Sequence, residues 1–389
     1  MKKTILLWLF IPLLSACDLE EIPDGVTTTA VKFEIWFGNT GEIEENGNAV
    51  IELAEGGYVV VGYQEQAPNQ NNEGLIVKFK ADGDVVWNKR AKLGSYATFS
   101  AVQRTTDNGF VAVGTAYMSA AAQNDVFLCK FDQNGNLSYS KNIAGPLGAD
   151  YGSDVLVLND GFLILGNTTG NSDNQILVIK TDFNGNVLDS KTYGGAGEDR
   201  AVKFIKTQDN GYAIVGNTSS FGAGQNDMYL CKLSSTLALS WQKSFGTATA
   251  DSGSDLVETK DGSFILVGEK ANGNAPDIFI VKADKNGNKL WEKSYGTLFY
   301  DYGNGVALSS DGNILLCGTK GDNNDLRVFI MQLDEAGNQK WERLFSRFYG
   351  IDIKATKDGG IIVTGARNNP TDNEEDVYLI KTDKEGNVL

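Results

Sequence analysis

Aspartates recur at a fixed distance behind a glycine in this sequence, and tyrosines lie beside several of them. Glycines at positions 145, 194, 246 and 296 are each followed by an aspartate five residues later, and two of these segments add a second aspartate four residues further on. Closely spaced carboxylates suit calcium, a cationic ligand or a sugar, and exposed tyrosine rings can stack on sugars. The candidate ligand-binding residues are Asp150, Asp154, Asp199, Asp251, Asp255, Asp301, Tyr151, Tyr300 and Tyr302.

The same aspartates also fit a structural interpretation. Aspartate accepts hydrogen bonds from backbone N–H groups of its own turn, and repetition in most copies favours that role, because binding sites tend to break symmetry. The chain has no histidine, which excludes Ser-His-Asp and Cys-His nucleophile systems and imidazole zinc sites. We therefore name no catalytic residue and expect a non-enzyme without a cofactor, calcium being the one cation that these carboxylates suggest.

These residues belong to a sequence repeat, which determines where they lie in the fold. A segment of glycine, at most one further residue, an aromatic residue or isoleucine, three mostly apolar residues and a closing glycine occurs seven times, at intervals of 47 to 52 residues. Each unit has the pattern of four short strands, a to d, joined by turns rich in aspartate and glycine. Strands b and c are apolar at nearly every position, which indicates that both of their faces are buried. The closing glycines are Gly62, Gly114, Gly166, Gly216, Gly268, Gly318 and Gly365.

Seven units of four antiparallel strands predict an all-β, seven-bladed β-propeller over residues 31–389. The seventh unit ends before its strand d, whereas residues 31–37 have the pattern of a strand d. We predict that residues 31–37 pair with strand c at 377–382 and close the ring. Strand a is normally innermost, so the candidate carboxylates should surround the mouth of the central channel. The b–c and d–a loops vary most between units, and we predict that they form the functional face.

The first residues have the pattern of a secretory leader. Lys2 and Lys3 precede an apolar run at 5–14, which is too short to span a bilayer as a permanent helix. The following Leu-Ser-Ala-Cys17 resembles the lipobox of bacterial lipoproteins, which implies cleavage before Cys17 and lipidation of its thiol. The chain then divides into a signal peptide (1–16), a lipid-anchored acidic tether (17–30) and the propeller (31–389).

Charge and cysteine usage limit the partners. The formal net charge is −16, which disfavours a nucleic-acid partner. The remaining cysteines are Cys129, Cys231 and Cys317, and the apolar runs around the first two predict small buried side chains. We expect a monomer whose membrane contact is the lipid on Cys17.

The repeat resembles that of the bacterial β-propeller repeat lipoproteins, a group of the quinoprotein-like kind. One copy carries the pattern clearly, with Asp277-Ile-Phe-Ile-Val-Lys282 followed by Asp284, Gly287 and Trp291. The resemblance implies a cell-envelope protein anchored in the outer membrane, either periplasmic or surface-exposed. Its expected function is non-enzymatic binding of a protein or glycan through the b–c and d–a loops. The alternatives are a carboxylate-dependent enzyme acting on polysaccharide and a scaffold in outer-membrane assembly.

Overall fold

The computed structural model describes residues 32–38, 43–66, 71–119, 122–145, 147–170, 173–273, 275–322, 325–368 and 375–388. The predicted signal peptide, Cys17 and the tether therefore lie outside the described residues. Every regular element within the described ranges is a β-strand. In chain order the strands are β1 (Phe33–Phe37), β2 (Glu45–Glu52), β3 (Tyr58–Gln66), β4 (Asn71–Phe79), β5 (Val85–Ala91), β6 (Tyr96–Arg104), β7 (Phe110–Ser119), β8 (Ala122–Phe131), β9 (Leu137–Ile143), β10 (Ala149–Val157), β11 (Phe162–Thr169), β12 (Asn174–Thr181), β13 (Val187–Tyr193), β14 (Asp199–Lys206), β15 (Tyr212–Thr218), β16 (Asp227–Leu233), β17 (Leu239–Phe245), β18 (Asp251–Glu258), β19 (Phe264–Asn272), β20 (Ala275–Ala283), β21 (Lys289–Tyr295), β22 (Tyr300–Leu308), β23 (Ile314–Gly321), β24 (Arg327–Leu333), β25 (Gln339–Ala355), β26 (Ile361–Asn368) and β27 (Glu375–Thr382).

The strands form seven antiparallel four-stranded blades, which confirms the predicted β-propeller. Blades one to five are β2–β5, β6–β9, β10–β13, β14–β17 and β18–β21. Strand β25 runs on from blade six into blade seven, since its first part pairs with β24 and its second part with β26. Blade six is thus β22 to β24 with the start of β25, and blade seven is the end of β25 with β26, β27 and β1.

Strand β1 closes the ring as predicted. It pairs antiparallel with β27, from Phe33 opposite Lys381 to Phe37 opposite Val377. Phe33 is buried against Tyr58 of blade one, so the strand that completes blade seven also packs on its neighbour. Among the described residues, one apolar cluster fills each of the seven interfaces between adjacent blades. Burial of apolar residues on both faces of strands b and c supplies these clusters.

Two features of the repeat follow from close packing. A Cβ on the closing glycine of strand b would lie 1.8 to 1.9 Å from a strand-a carbonyl oxygen in six of the blades, so only glycine fits there. The tryptophan of strand d packs on the hairpin glycine of the next blade, as Trp241 does on Gly287.

The thiols of Cys129, Cys231 and Cys317 are free and buried, which confirms the prediction for the first two.

Strand a carries a β-bulge at the same place in every blade. The bulges occur at 47/49, 99/101, 152/154, 201/203, 253/255, 303/305 and 350/352. A bulge inserts one residue and redirects the side chains that follow it. The strands a line a central cavity of about 380 Å³, so the bulges decide which side chains enter the channel.

Candidate functional site

The aspartates that follow the d–a glycines lie at the starts of strands a, where their side chains cap the preceding d–a turns. Asp150, Asp199, Asp251 and Asp301 are all buried. Each accepts a backbone N–H from four or five residues earlier, at 2.5 Å from Gly145, 2.6 Å from Gly195, 2.5 Å from Thr247 and 2.6 Å from Thr297. These bonds fix the d–a turns, so four of the six candidate carboxylates are already used as turn caps.

The other two candidates, Asp154 and Asp255, line the central cavity. Asp154 Oδ2 accepts the backbone N–H of Phe204 at 3.3 Å, and Asp255 Oδ2 accepts that of Val306 at 3.0 Å. Both donors belong to the next blade, so each carboxylate ties its blade to the neighbour. Asp352, which is not among the candidates predicted from the sequence, makes the same bond from blade seven to Val50 of blade one at 3.0 Å.

Two lysines complete this channel cluster, which we define as Asp154, Lys203, Asp255, Asp352 and Lys354. Lys203 Nζ lies 3.3 Å from Asp352 Oδ1, and Lys354 Nζ lies 2.6 Å from the same atom. The cluster lies midway along strands a, and the cavity below it reaches Lys206 near the a–b turns. The structure therefore places these charges away from the loop face, by which we mean the end of the ring that carries the b–c and d–a connections.

The cluster perturbs the pKa values of its own members. Burial raises the pKa of Asp154 to about 6, although Lys203 and two backbone N–H groups offset part of the effect. Burial also raises the pKa of Asp352, but Lys203 and Lys354 outweigh it and bring that pKa to about 2. Burial acts to lower the pKa of Lys203, and the three carboxylates, Asp352 first, raise it instead. At neutral pH the cluster is thus a network of charges held by each other and by backbone donors.

A second cavity of about 240 Å³ opens on the loop face between blades four and five. We call it the blade-five pocket and define it by its polar lining residues Asn217, Asn226, Ser252, Glu269 and Asn272. Asn217 Oδ1 accepts the backbone N–H of Gly253 at 2.8 Å. Glu269 is half-buried, and burial raises the pKa of its carboxyl.

The candidate tyrosines of blade six form a stacked pair on the loop face. The ring centroids of Tyr300 and Tyr302 are 5.9 Å apart, and the ring planes differ by 13°. Burial and then the charge of Glu269 raise the pKa of Tyr302. Tyr151 occupies the position of Tyr302 in blade three and is 39% exposed, but Ala149 stands where Tyr300 would be.

Exposed apolar side chains extend this aromatic surface. Leu298 and Phe299, in the loop before Tyr300, are 94% and 48% exposed. Large apolar side chains with this exposure are common at interaction sites when they lie together.

The described part of the chain has no group of three or more Asp, Glu or Cys side chains arranged to hold a metal ion. It also has no helix long and apolar enough to cross a membrane.

The fold has relatives among solved structures at low sequence identity. The WD40 domain of Neurospora crassa Pan2 superposes with a TM-score of 0.54 at 12% identity, over 86% of this chain and 88% of that chain. The periplasmic gluconolactonase PpgL of Pseudomonas aeruginosa gives 0.53 at 10% identity, over 85% of this chain and 98% of that chain. The Dos1 propeller gives 0.52 at 8% identity, over 87% and 93%. These similarities support the propeller fold alone.

No family model and no curated protein matches the chain.

Proposed function

We propose that this protein is a non-enzymatic binding module that takes a carbohydrate on its loop face. The observations that carry the proposal are the stacked pair Tyr300 and Tyr302 and the polar blade-five pocket on the same face. A sugar ring offers C–H groups that pack on an aromatic face and hydroxyl groups that need hydrogen-bonding partners. The tyrosines supply the first, and the amide, hydroxyl and carboxyl groups of the pocket supply the second.

A binding role agrees with the carboxylates of the pocket. Glycoside hydrolysis ordinarily needs two carboxyl groups that face one substrate. The carboxylates that line the pocket in the described residues are Asp251 and Glu269. Asp251 accepts hydrogen bonds from Thr247 and from the backbone N–H of Ala271, so it stabilises the loop conformation. Glu269 alone is left for a ligand, which suits recognition better than paired acid and base chemistry.

A protein partner is the second candidate. The exposure of Leu298 and Phe299 favours it, because adjoining apolar side chains gain most from burial under another protein surface. The two candidates differ in the residues that should matter, since a protein partner would cover Leu298 as well as the tyrosines.

The proposed location is the cell envelope, with the lipid on Cys17 as membrane anchor. The basic start, the short apolar run and the Leu-Ser-Ala-Cys sequence support it. Metabolic labelling with a radioactive fatty acid should mark the wild-type chain and leave Cys17→Ser unlabelled. Equal labelling of both chains would contradict the anchor.

An array of soluble polysaccharides, probed with the full chain in detergent with and without calcium, tests the binding function. We expect hits that weaken at least about tenfold in Tyr302→Ala and Tyr300→Ala, given a stacking contribution of about 1.5 kcal/mol. Tyr151→Ala is the matched control, because it removes an exposed tyrosine from the same strand position in a blade without the stacked partner. An array without hits, or equal weakening in all three variants, would contradict the proposal.

A further inference from the structure

One position in strand b bonds blades two, three and four to the blade that follows each of them. The position follows the closing glycine. In blade three Asn167 Oδ1 accepts the backbone N–H of Ala201 at 2.7 Å, and in blade four Asn217 Oδ1 accepts that of Gly253 at 2.8 Å. In blade five the residue is Glu269. Blades one, six and seven have Tyr63, Thr319 and Ala366 there, so the glutamate of blade five is the one charged residue at this position.

The Glu269 carboxylate has no hydrogen-bond or ion-pair partner among the described residues, unlike the two asparagines. Burial is the one cause that raises the pKa of its carboxyl, so no nearby donor or cation offsets the loss of water. A carboxylate is an acceptor with several lone pairs, and withdrawing it from water without a donor is unfavourable. Glu269 therefore adds nothing visible to the fold and leaves an acceptor facing the blade-five pocket.

Two amide groups of the pocket are already engaged. Asn217 bonds to Gly253, and Asn272 Nδ2 donates to Asp277 Oδ2 at 2.8 Å. A ligand in the pocket thus meets one negative charge without a partner, that of Glu269. A protonated amine satisfies that charge best, because a hydrogen bond between two ionised groups is roughly twice as strong as a neutral one. The net charge of −16 also attracts cations to this surface.

We infer that the blade-five pocket selects a glycan with a free, protonated amino group, which bonds to Glu269 while a sugar ring packs on Tyr300 and Tyr302. This inference rests on the proposed carbohydrate function and adds the chemical class of the sugar. Neutral and N-acetylated sugars could use the aromatic pair, but they lack the cation that Glu269 requires.

Three tetrasaccharides with the same β-1,4 linkage isolate the substituent at C2. Tetramers of glucosamine, N-acetylglucosamine and glucose carry an ammonium, an acetamide and a hydroxyl there. We would titrate each into the full chain by calorimetry at pH 6 and low salt. The glucosamine tetramer should bind at least about tenfold more tightly than the other two, as expected for a charge-assisted bond. Added salt should reduce the difference, because ions screen the attraction.

Glu269→Gln keeps the shape of the side chain and removes its charge, so it should abolish the preference for glucosamine. Glu198→Gln is the matched control, since it removes an exposed carboxylate from a loop of the same face outside the pocket. Equal affinity for the three tetramers, or an unchanged preference in Glu269→Gln, would overturn the inference. Polysaccharide hits that depend on Tyr302 but exclude amino sugars would also overturn it and leave the binding function intact. An array without any hit would instead remove the function on which it rests.

Discussion

Lys203 Nζ lies 3.3 Å from Asp352 Oδ1, which joins blade four to blade seven across the central channel. The two residues are 149 positions apart in the chain. Asp352 also accepts the backbone N–H of Val50 in blade one, so a single carboxylate links three blades. The channel cluster therefore connects blade seven to blades one and four. The charges of the cluster thus help to hold the ring closed.

Replacement of Lys203 by methionine should destabilise the whole domain. The change removes the cation that faces three buried carboxylates and leaves Lys354 as the remaining cation of the channel cluster. Breaking a buried ion pair from one side costs about 3–5 kcal/mol, and we expect about 3 kcal/mol here because Lys203 is partly exposed. Urea unfolding at pH 7 measures the loss. Lys206→Met, at an exposed position of the same strand, should change little, and a similar loss in both variants would contradict the role of the cluster.

The raised pKa of Asp154 predicts a pH dependence of stability. Its pKa is about 6 in the folded protein against 3.8 in the unfolded chain, so the folded state binds this proton more tightly. The resulting stability is full below about pH 4 and is lost as the pH rises through 6, by about 2–3 kcal/mol. In Asp154→Asn the difference in unfolding free energy between pH 4 and pH 7 should shrink by that amount. The exposed control Asp189→Asn should keep the wild-type difference, and a wild-type difference in Asp154→Asn would exclude the assignment.

The parts of the fold that repeat could be predicted from the sequence. The closing glycine of strand b is needed because a carbonyl oxygen approaches it closely, so it recurs and gives the blade count. The segment from Phe33 to Phe37 could be assigned to blade seven because it has the apolar pattern of a strand d. Its pairing with β27 confirms that assignment.

The parts of the candidate site that break the repeat were harder to predict. Asp150 and Asp154 belong to one motif, yet the first caps the preceding d–a turn, and the bulge after Gly152 sends the second into the channel. Lys203 and Asp352 were missed because their contact crosses the ring, and no spacing within one repeat encodes it. A signal existed at both positions, since each follows the bulge where blades one and two have alanine.

Truncation tests the closing strand. Deleting residues 18–38 removes β1 and leaves β27 without its outer partner, exposing apolar side chains that Phe33 covers. We expect the midpoint of thermal unfolding to fall by at least about 10 °C, because an unpaired edge and lost burial affect the entire ring. Deleting 18–31 is the control, since it keeps β1 intact and should leave the midpoint unchanged. An unchanged midpoint after the longer deletion would mean that the ring does not need this strand.

Substitution of Glu269 by asparagine separates the fold from ligand binding. Asparagine at this position would recreate the residue that bridges to the next blade in blades three and four. The free energy of unfolding should stay the same or rise by about 0.5–1.5 kcal/mol, the usual gain from one hydrogen bond. Binding of the glucosamine tetramer should fall to the level of the glucose tetramer, because the charge is gone. Chemical unfolding and calorimetry on the same preparation give both quantities. A clear loss of stability in Glu269→Asn would show that the carboxylate stabilises the fold, which would contradict a role in ligand binding. Lost binding in a protein of unchanged stability would support that role.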